Sequence, residues 1–450
     1  EHHLSHIGSA FFASGFDKAA CLSIDGSGDF TTTMIGVGEG NEIKIIDSVD
    51  FPHSLGIYYT AFTQFLGFAH YGDEYKVMGM APYGEPKYVN KLKDVVKLTS
   101  NGLFKLNLKY FRDARKGVIS YGEDNIPKVA VMYSDYLVNM FGKPRDKNDP
   151  LEQFHKDMAA SVQRMTEIVI FHILNHLQKT TGLSKVCIAG GVAQNSVANG
   201  KITGETAFKE VYIPSAGHDA GISMGAALYV QHHLLKFSRQ PAIKSACTGS
   251  CYSNEEIKQI LRDKKVAFEE IKDEPLFDKV TDCLIGGGVV GWFNGRAEFG
   301  PRPLGGRSII ADPRRTDAKE ILNAKIKRRE SFRPFAPSVL KEFTADFFEK
   351  HDEVPFMEKV FVIKPEKRTL IPAVTHVDGT GRLQTVDKEI SSRYYGLIHN
   401  FYKKTGIPIL LNTSFNENEP IVNHPEQALA CFLRTDMDML VMENILITKL

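Results

Sequence analysis

The sequence predicts an α/β protein built as two domains, on three observations. Its 450 residues exceed what one hydrophobic core usually organises. Twice in succession a buried strand runs through glycine into a helix, at 185–193 and at 210–219, a pattern of α/β folds that handle nucleotides. From 253 onward helix and strand patterns start afresh, after a stretch without periodicity.

In chain order, the sequence opens in a helix. Residues 19–25 predict a strand ending in the turn Asp25-Gly26-Ser27-Gly28-Asp29, and 30–37 and 42–49 complete a three-stranded meander. Residues 54–68 predict an amphipathic helix with Leu55, Tyr58, Tyr59, Phe62, Phe65 and Leu66 on one stripe. Residues 83–150 are loop-rich. A long helix follows over 150–181, closed by Gly182. The strand 185–189 enters a helix from Ala193, and the strand 210–213 leads into a helix over 219–235. Residues 237–252, with Pro241 and Gly249, predict a linker between domains at 1–236 and 253–450. The second domain begins helix 254–262, strand 265–271, helix 276–285 and strand 289–294.

Composition excludes several functions. Lys and Arg total 55 against 54 for Asp and Glu, so the chain has no basic excess with which to grip nucleic acid. The most apolar stretch, 162–177, is broken by Arg164, Glu167, His172, Asn175 and His176 and does not predict a membrane span. Six scattered cysteines without paired metal spacing predict reduced thiols in a cytoplasmic protein.

The first domain carries a candidate metal set. His2 and His6 stand four apart on a helix, so their rings share a face, although a lone pair of this kind is also a common coincidence. Asp25 at a strand end and Asp219 at a helix start would complete a set suited to Fe(II), Mn(II) or Zn(II), with Fe(II) favoured. Gly26-Ser27-Gly28 is either a phosphate-approaching hairpin or a simple tight turn. Gly190-Gly191-Val192-Ala193-Gln194-Asn195 would let a nucleotide approach closely, with Asn195 bonding it. Gly72-Asp73-Glu74-Tyr75-Lys76 is either functional or a salt-bridged turn.

HxxxH, the Asp25-Gly26 strand, GDEYKVMGMAPYG, GGVAQN and AGHDAGISMGAAL together resemble the Kae1-like domain of the NodU/CmcH carbamoyltransferases. The resemblance implies an actin/Hsp70-ATPase-like fold, with His2, His6, Asp25 and Asp219 as metal ligands and Gly190, Gly191 and Asn195 contacting the adenylate. Members of that family carry a further opening segment ahead of the HxxxH helix, which is expected to be absent here.

The second domain concentrates cations among glycines and aromatics. Arg296, Arg302 and Arg307 lie in GRAEFGPRPLGGRSIIADPR; Lys327, Arg328, Arg329 and Arg333 lie in KRRESFRPFAPSVL. Arginine forks suit phosphate oxygens, and interleaved Phe299, Leu304, Phe332 and Phe335 argue against a plainly solvated basic face. HVDGTGRLQ puts Arg382 on a glycine turn, and the strand 407–411 ends in Asn412-Thr413-Ser414. EFGPRPLGGRSI, RESFRPFAPSVL, HVDGTGRLQTV and NTSFNENEPIV resemble the family's YrdC-like C-terminal domain. By that resemblance, Arg302, Lys327 and Arg333 act catalytically, and Met357, Arg382 and Ser414 line the same ATP and carbamoyl phosphate site.

The expectation is an ATP-dependent O-carbamoyltransferase that forms carbamoyl-adenylate and passes the carbamoyl group to a small-molecule or oligosaccharide hydroxyl. Neither nucleic acid nor a membrane is an expected partner, and a homodimer is admitted. The rivals are a threonylcarbamoyl-type tRNA-modifying enzyme and a non-catalytic nucleotide-binding fragment. The acceptor is not encoded in any motif.

Overall fold

A computed structural model describes residues 1–70, 72–112, 119–121, 127–330 and 332–449. Parts of the loop-rich 83–150 stretch, Ser331 of RESFRPFAPSVL and the last residue of the second domain lie outside the described residues. The protein is mixed α/β and divides into two compact units, Glu1–Ile243 and Lys244–Leu450.

The first unit is built on a five-stranded sheet. Strands β1 (Lys18–Gly28), β2 (Thr31–Glu39) and β3 (Glu42–Asp50) form the predicted meander. Strands β4 (Lys185–Ala189) and β5 (Glu210–Tyr212) extend it in the order β3-β2-β1-β4-β5. β4 runs parallel to β1 and β5 parallel to β4, as strand–helix–strand crossovers require. Helix α1 (His2–Ser14) buries Ile7, Ala10, Phe11 and Phe12 against this sheet. Helices α2 (Leu55–Phe65), α3 (Gln153–Thr181), α4 (Ser196–Glu205) and α5 (Ile222–Leu228) follow. Gly182 closes α3 in the left-handed conformation at φ 68°.

Several expectations are corrected here. The turn expected at Asp25–Asp29 is strand as far as Gly28, with the chain reversing at Asp29 and Phe30; the ladder is irregular between Ile24 and Gly28. That bulge frees Asp25 from regular pairing. The helix expected from Ala193 begins at Ser196, because the Asn195 side chain caps it by accepting from Ala198 N. The helix expected over 219–235 is three pieces: a 3₁₀ turn at Asp219–Gly221, then α5, then a π turn at Tyr229–Leu234 where His233 stacks on Tyr229.

The second unit holds a nine-stranded mixed sheet. Its strands are β6 (Glu269–Glu270), β7 (Val290–Phe293), β8 (Arg307–Ala311), β9 (Ala336–Leu340), β10 (Lys359–Val362), β11 (Thr380–Val386), β12 (Ile409–Ser414), β13 (Met439–Met442) and β14 (Ile445–Thr448). The order is β6-β14-β13-β7-β8-β12-β9-β11-β10. Trp292, Phe293, Ile309, Ile310, Leu410 and Leu411 sit in its core. The strand expected over 265–271 shrinks to two residues, because Lys265 turns back at φ 54° and Val266 N bonds to Leu261 O, finishing the preceding helix. Arg382 lies within β11 rather than on a turn, and Asn412, Thr413 and Ser414 lie inside β12.

The expected linker is not free chain. Arg239 donates to Gly40 O and Phe11 O, its guanidinium 4.5 Å over the Phe11 ring, and Ile243 N donates to Ala13 O. Beyond the division, Ala297 N donates to Ser250 O and Phe299 N to Ala246 O. Residues 237–243 thus belong to the first unit and 244–252 to the second. Among the described residues, no helix is long and apolar enough to cross a membrane.

Candidate functional site

Two separate clusters stand out, one in each unit. In the first, α1 sends His2 and His6 from one face. A Cβ on Gly28 would lie 2.0 Å from the His2 ring, so the ring occupies the space a side chain would fill. A Cβ on Gly225 would lie 1.8 Å from the Ser5 carbonyl oxygen, so α5 lies flush against α1 and carries Asp219, just ahead of it, to the histidines. Asp25 arrives from the bulge in β1.

The four expected ligands meet. One donor atom from each of His2, His6, Asp25 and Asp219 lies within 4.8 Å of the others. His6 Nε2 is 2.9 Å from Asp25 Oδ2 and 3.5 Å from Asp219 Oδ1; His2 Nε2 is 3.8 Å and 3.6 Å from the same oxygens. The two Nε2 atoms are 3.1 Å apart, where two bare lone pairs repel, so a proton or a cation belongs between them. Two imidazole nitrogens and two carboxylate oxygens are a fitting donor set for Fe(II), Mn(II) or Zn(II).

Charge follows the same geometry. Burial alone would raise the Asp25 carboxyl, but hydrogen bonds to His2 and His6, the charge on His6 and the Gly191 N–H hold it well below the carboxylate range. Burial would lower His6, and its bonds to Asp219 and Asp25 outweigh that and raise it. Asp25 Oδ1 accepts from Gly26 N at 2.6 Å and Oδ2 from Gly191 N at 2.8 Å, which ties the glycine loop after β4 to the donor cluster. Neighbouring His3 is structural, its nitrogens bonded to Ser23 Oγ at 2.7 Å and Thr31 O at 2.8 Å.

Residues expected at an adenylate fare differently. Gly190 and Gly191 sit on the loop beside Asp25. The Asn195 carboxamide is engaged at both ends, donating to Gln163 Oε1 at 2.9 Å and accepting from Gln163 Nε2 at 3.0 Å. Asp73 and Lys76 pair at 2.9 Å at the start of a short helix, which is the bland alternative for that motif.

The second cluster is cationic. The loop bearing Arg302 is pinned by Glu298, whose Oε1 accepts from Leu304 N, Gly306 N and Arg307 N at 2.7, 2.7 and 3.2 Å. Gln384 Nε2 donates to Leu304 O at 2.9 Å and Asn412 Nδ2 to Pro303 O at 3.2 Å, tying the loop to β11 and β12. Arg382, two residues from Gln384, projects from the same face of β11. Burial, then the charges of Arg302, Arg329 and Arg333, push its guanidinium well below the ordinary range. Lys327 is pushed down by burial and by Arg329 and Arg333. Its ammonium donates to Ser414 Oγ at 3.3 Å and to Asn416 O and Oδ1 at 2.7 Å, all neutral acceptors.

Arg302, Lys327, Arg333, Arg382 and Ser414 are therefore brought together. Met357 is buried at φ 57°, two residues ahead of β10, whose Val360 pairs with Arg382. Arg329 belongs to the cluster and had no assigned role in the sequence. Arg328 takes φ 42° and turns out to Glu417, while Arg329 lies 4.8 Å over the Phe335 ring. Arg307 is not a phosphate ligand. It is 1% exposed, donates to the carbonyls of Asn294, Gly295, Gly306 and Ser250, and lies 3.6 Å over the Phe293 ring. Arg296 is held by Gly249 O at 3.0 Å.

With both clusters in view, comparison with known proteins is informative. The carbamoyltransferase N-terminus family matches residues 1–228 and the carbamoyltransferase C-terminus family residues 281–449. An uncharacterised protein of Synechocystis is 44% identical over this whole chain and 76% of its own. Nodulation protein NolNO of Sinorhizobium fredii is 40% identical, over this whole chain and 63% of its own, and NolO of Bradyrhizobium diazoefficiens 38%, over 78% of its own. The chain thus spans 63 to 78% of these relatives. Solved structures of HypF match at TM-scores of 0.27 and 0.28 and 15% and 18% identity, over 52% and 53% of this chain and 37% and 43% of theirs, too slight a likeness to bear on the fold. On the family matches and the relatives aligned over the whole of this chain, the chain belongs to the carbamoyltransferase family.

Proposed function

We propose that the protein is an ATP-dependent O-carbamoyltransferase working in two stages. The second unit makes carbamoyl-adenylate. Water cleaves carbamoyl phosphate to carbamate and phosphate, and a carbamate oxygen then attacks the α-phosphorus of ATP and expels pyrophosphate. The first unit completes the transfer: the acceptor hydroxyl oxygen attacks the carbamoyl carbon, AMP leaves, and the hydroxyl proton passes to solvent. His2, His6, Asp25 and Asp219 would hold a divalent cation, Fe(II) favoured, which when bound polarises the hydroxyl or the carbonyl.

The observation that carries this reading is the convergence of Arg302, Arg329 and Arg333 on Arg382, with buried Lys327 beside them. Gathered like charges repel, and a polyanion is the ligand that offsets the repulsion. Carbamoyl phosphate and ATP are polyanions, and the same cations would neutralise charge developing at phosphorus. An actin/Hsp70-ATPase-like first unit is supported by the order of its five strands, and a YrdC-like second unit by its mixed sheet beside the cationic strings.

Two assays on two sets of variants test the scheme. Arg302→Ala, Lys327→Met and Arg333→Ala are expected to lose carbamoyl-phosphate-dependent exchange between ATP and pyrophosphate, each by about 2–5 kcal/mol or tens- to thousands-fold. His6→Ala and Asp219→Ala are expected to keep exchange and lose transfer to an acceptor. Equal loss of exchange in both sets refutes the division.

A further inference from the structure

The HVDGTGR string contains a histidine that the proposed chemistry does not yet use. His376 opens a tight turn: its N–H donates to Thr380 O at 2.8 Å, and Gly379 N donates back to His376 O at 2.9 Å. Within the turn Asp378 Oδ1 accepts from Thr380 N at 3.1 Å and from Thr380 Oγ1 at 2.7 Å. A carboxylate only accepts, so the single hydroxyl proton of Thr380 is committed to Asp378. Thr380 Oγ1 lies 3.0 Å from His376 Nδ1 and must accept there, which places the ring proton on Nδ1 and leaves Nε2 a bare lone pair.

That lone pair is buried and has no hydrogen-bond partner among the described residues. The backbone carbonyl of Phe335 lies beside the ring, but a carbonyl cannot donate to it. Burial, with Arg382 and Lys319 adding to it against Asp378, pushes the imidazole down to about 4, so it stays neutral at ordinary pH. Arg382 Nε is also buried without a partner. An unmet acceptor and an unmet donor therefore border the cationic cluster: Arg382 acts on His376, Arg302, Arg329 and Arg333 act on Arg382, and Arg329 covers the Phe335 ring. Buried polar atoms are rarely left unmet, and one that is points to strain, a bound water or ion, or a functional role.

We propose that His376 is the residue that selects the carbamoyl group in the second unit, its Nε2 accepting a hydrogen bond from the amino group of carbamoyl phosphate while the arginines hold the phosphate. Other acyl phosphates present the same phosphate and carbonyl; only a carbamoyl group brings an N–H donor. A buried acceptor left bare penalises the ligand that lacks the donor, as expected of specificity built on one directed bond. The inference rests on the proposed use of this cluster for carbamoyl phosphate.

The test uses two stable, nearly isosteric phosphonates, phosphonoacetamide with an amino group and 2-oxopropylphosphonate with a methyl in its place. Titration calorimetry on the full chain is expected to show the amide bound roughly ten- to hundredfold more tightly. His376→Phe is expected to erase that preference by weakening the amide alone, and His376→Gln, which restores an acceptor, to recover part of it. Thr380→Val keeps the ring but removes the partner that fixes its tautomer, and is expected to reduce the preference as well. A preference that survives His376→Phe, or its absence in the unmodified protein while both compounds bind, overturns the role of His376. Failure of both compounds to bind the unmodified protein overturns the carbamoyl phosphate site itself, and this inference with it.

Discussion

Replacing Gly28 by alanine should remove one metal ligand without touching that ligand. The added Cβ would lie 2.0 Å from the His2 ring and 2.6 Å from its Nε2, against 3.4 Å for an ordinary contact. Relief therefore moves the ring by more than an ångström, whereas metal bonds tolerate about 0.2 Å. The backbone at Gly28 is not in the left-handed region, and the three atoms nearest the new carbon all belong to the ring. The fold should then be preserved while His2 Nε2 leaves its place 3.1 Å from His6 Nε2. Going from four ligands to three is expected to cost at least about 10- to 100-fold in affinity for Fe(II) or Zn(II), the range seen when a group that merely orients a ligand is removed. Chelator competition monitored by elemental analysis measures it, with thermal melting as the control for folding. The decisive comparison is a cycle: His2→Ala should match Gly28→Ala, and the double variant should lose no more than either. Additive losses would refute the steric argument, and so would a Gly28→Ala protein that binds metal normally.

Arg307→Met keeps the bulk and removes donors from four main-chain carbonyls, one buried and three part-buried, so we expect a loss on the order of 3 kcal/mol in denaturant unfolding. An unchanged midpoint would return Arg307 to the list of ligand-binding candidates. Burial pushes the Glu358 carboxyl up to about 7, against a lesser lowering by Lys359. The folded state then holds its proton through a range where the unfolded chain has lost it, so stability falls as pH rises from about 4.5 to about 7, by about 3 kcal/mol. Glu358→Gln should flatten the profile in that window, and an unaltered slope by chemical denaturation would contradict the assignment.

What could be read from the sequence was what repeats at short range. HxxxH is legible because helical periodicity alone puts both rings on one face, and glycine after a strand marks the loops that meet Asp25. What escaped depends on partners far along the chain. Gly28 is small because of a ring 26 positions earlier, and Gly225 because of a carbonyl on α1. Residue type and spacing do not separate Arg302 from Arg307, since both stand among glycines; the family resemblance singles out Arg302, and the fold shows that Arg307 donates inward to main-chain carbonyls. Adjacent Arg328 and Arg329 look equivalent until a single positive φ sends them to opposite sides. The strand expected over 265–271 shortened because Lys265 turns at positive φ and the Val266 main-chain N–H closes the preceding helix.

The bond from Gly191 N–H to Asp25 Oδ2 carries a thermodynamic obligation. The same oxygen lies 2.9 Å from His6 Nε2, so one atom answers to the glycine loop on one side and to the donor cluster on the other. An amide drawn away toward a phosphate leaves more negative charge on that oxygen for a cation, and a cation seated there loosens the oxygen's hold on the amide. By reciprocity, whatever factor a bound nucleotide applies to cation affinity, the cation applies to nucleotide affinity. Titrating AMP into protein with and without Zn(II), and Zn(II) into protein with and without AMP, must therefore return one and the same ratio.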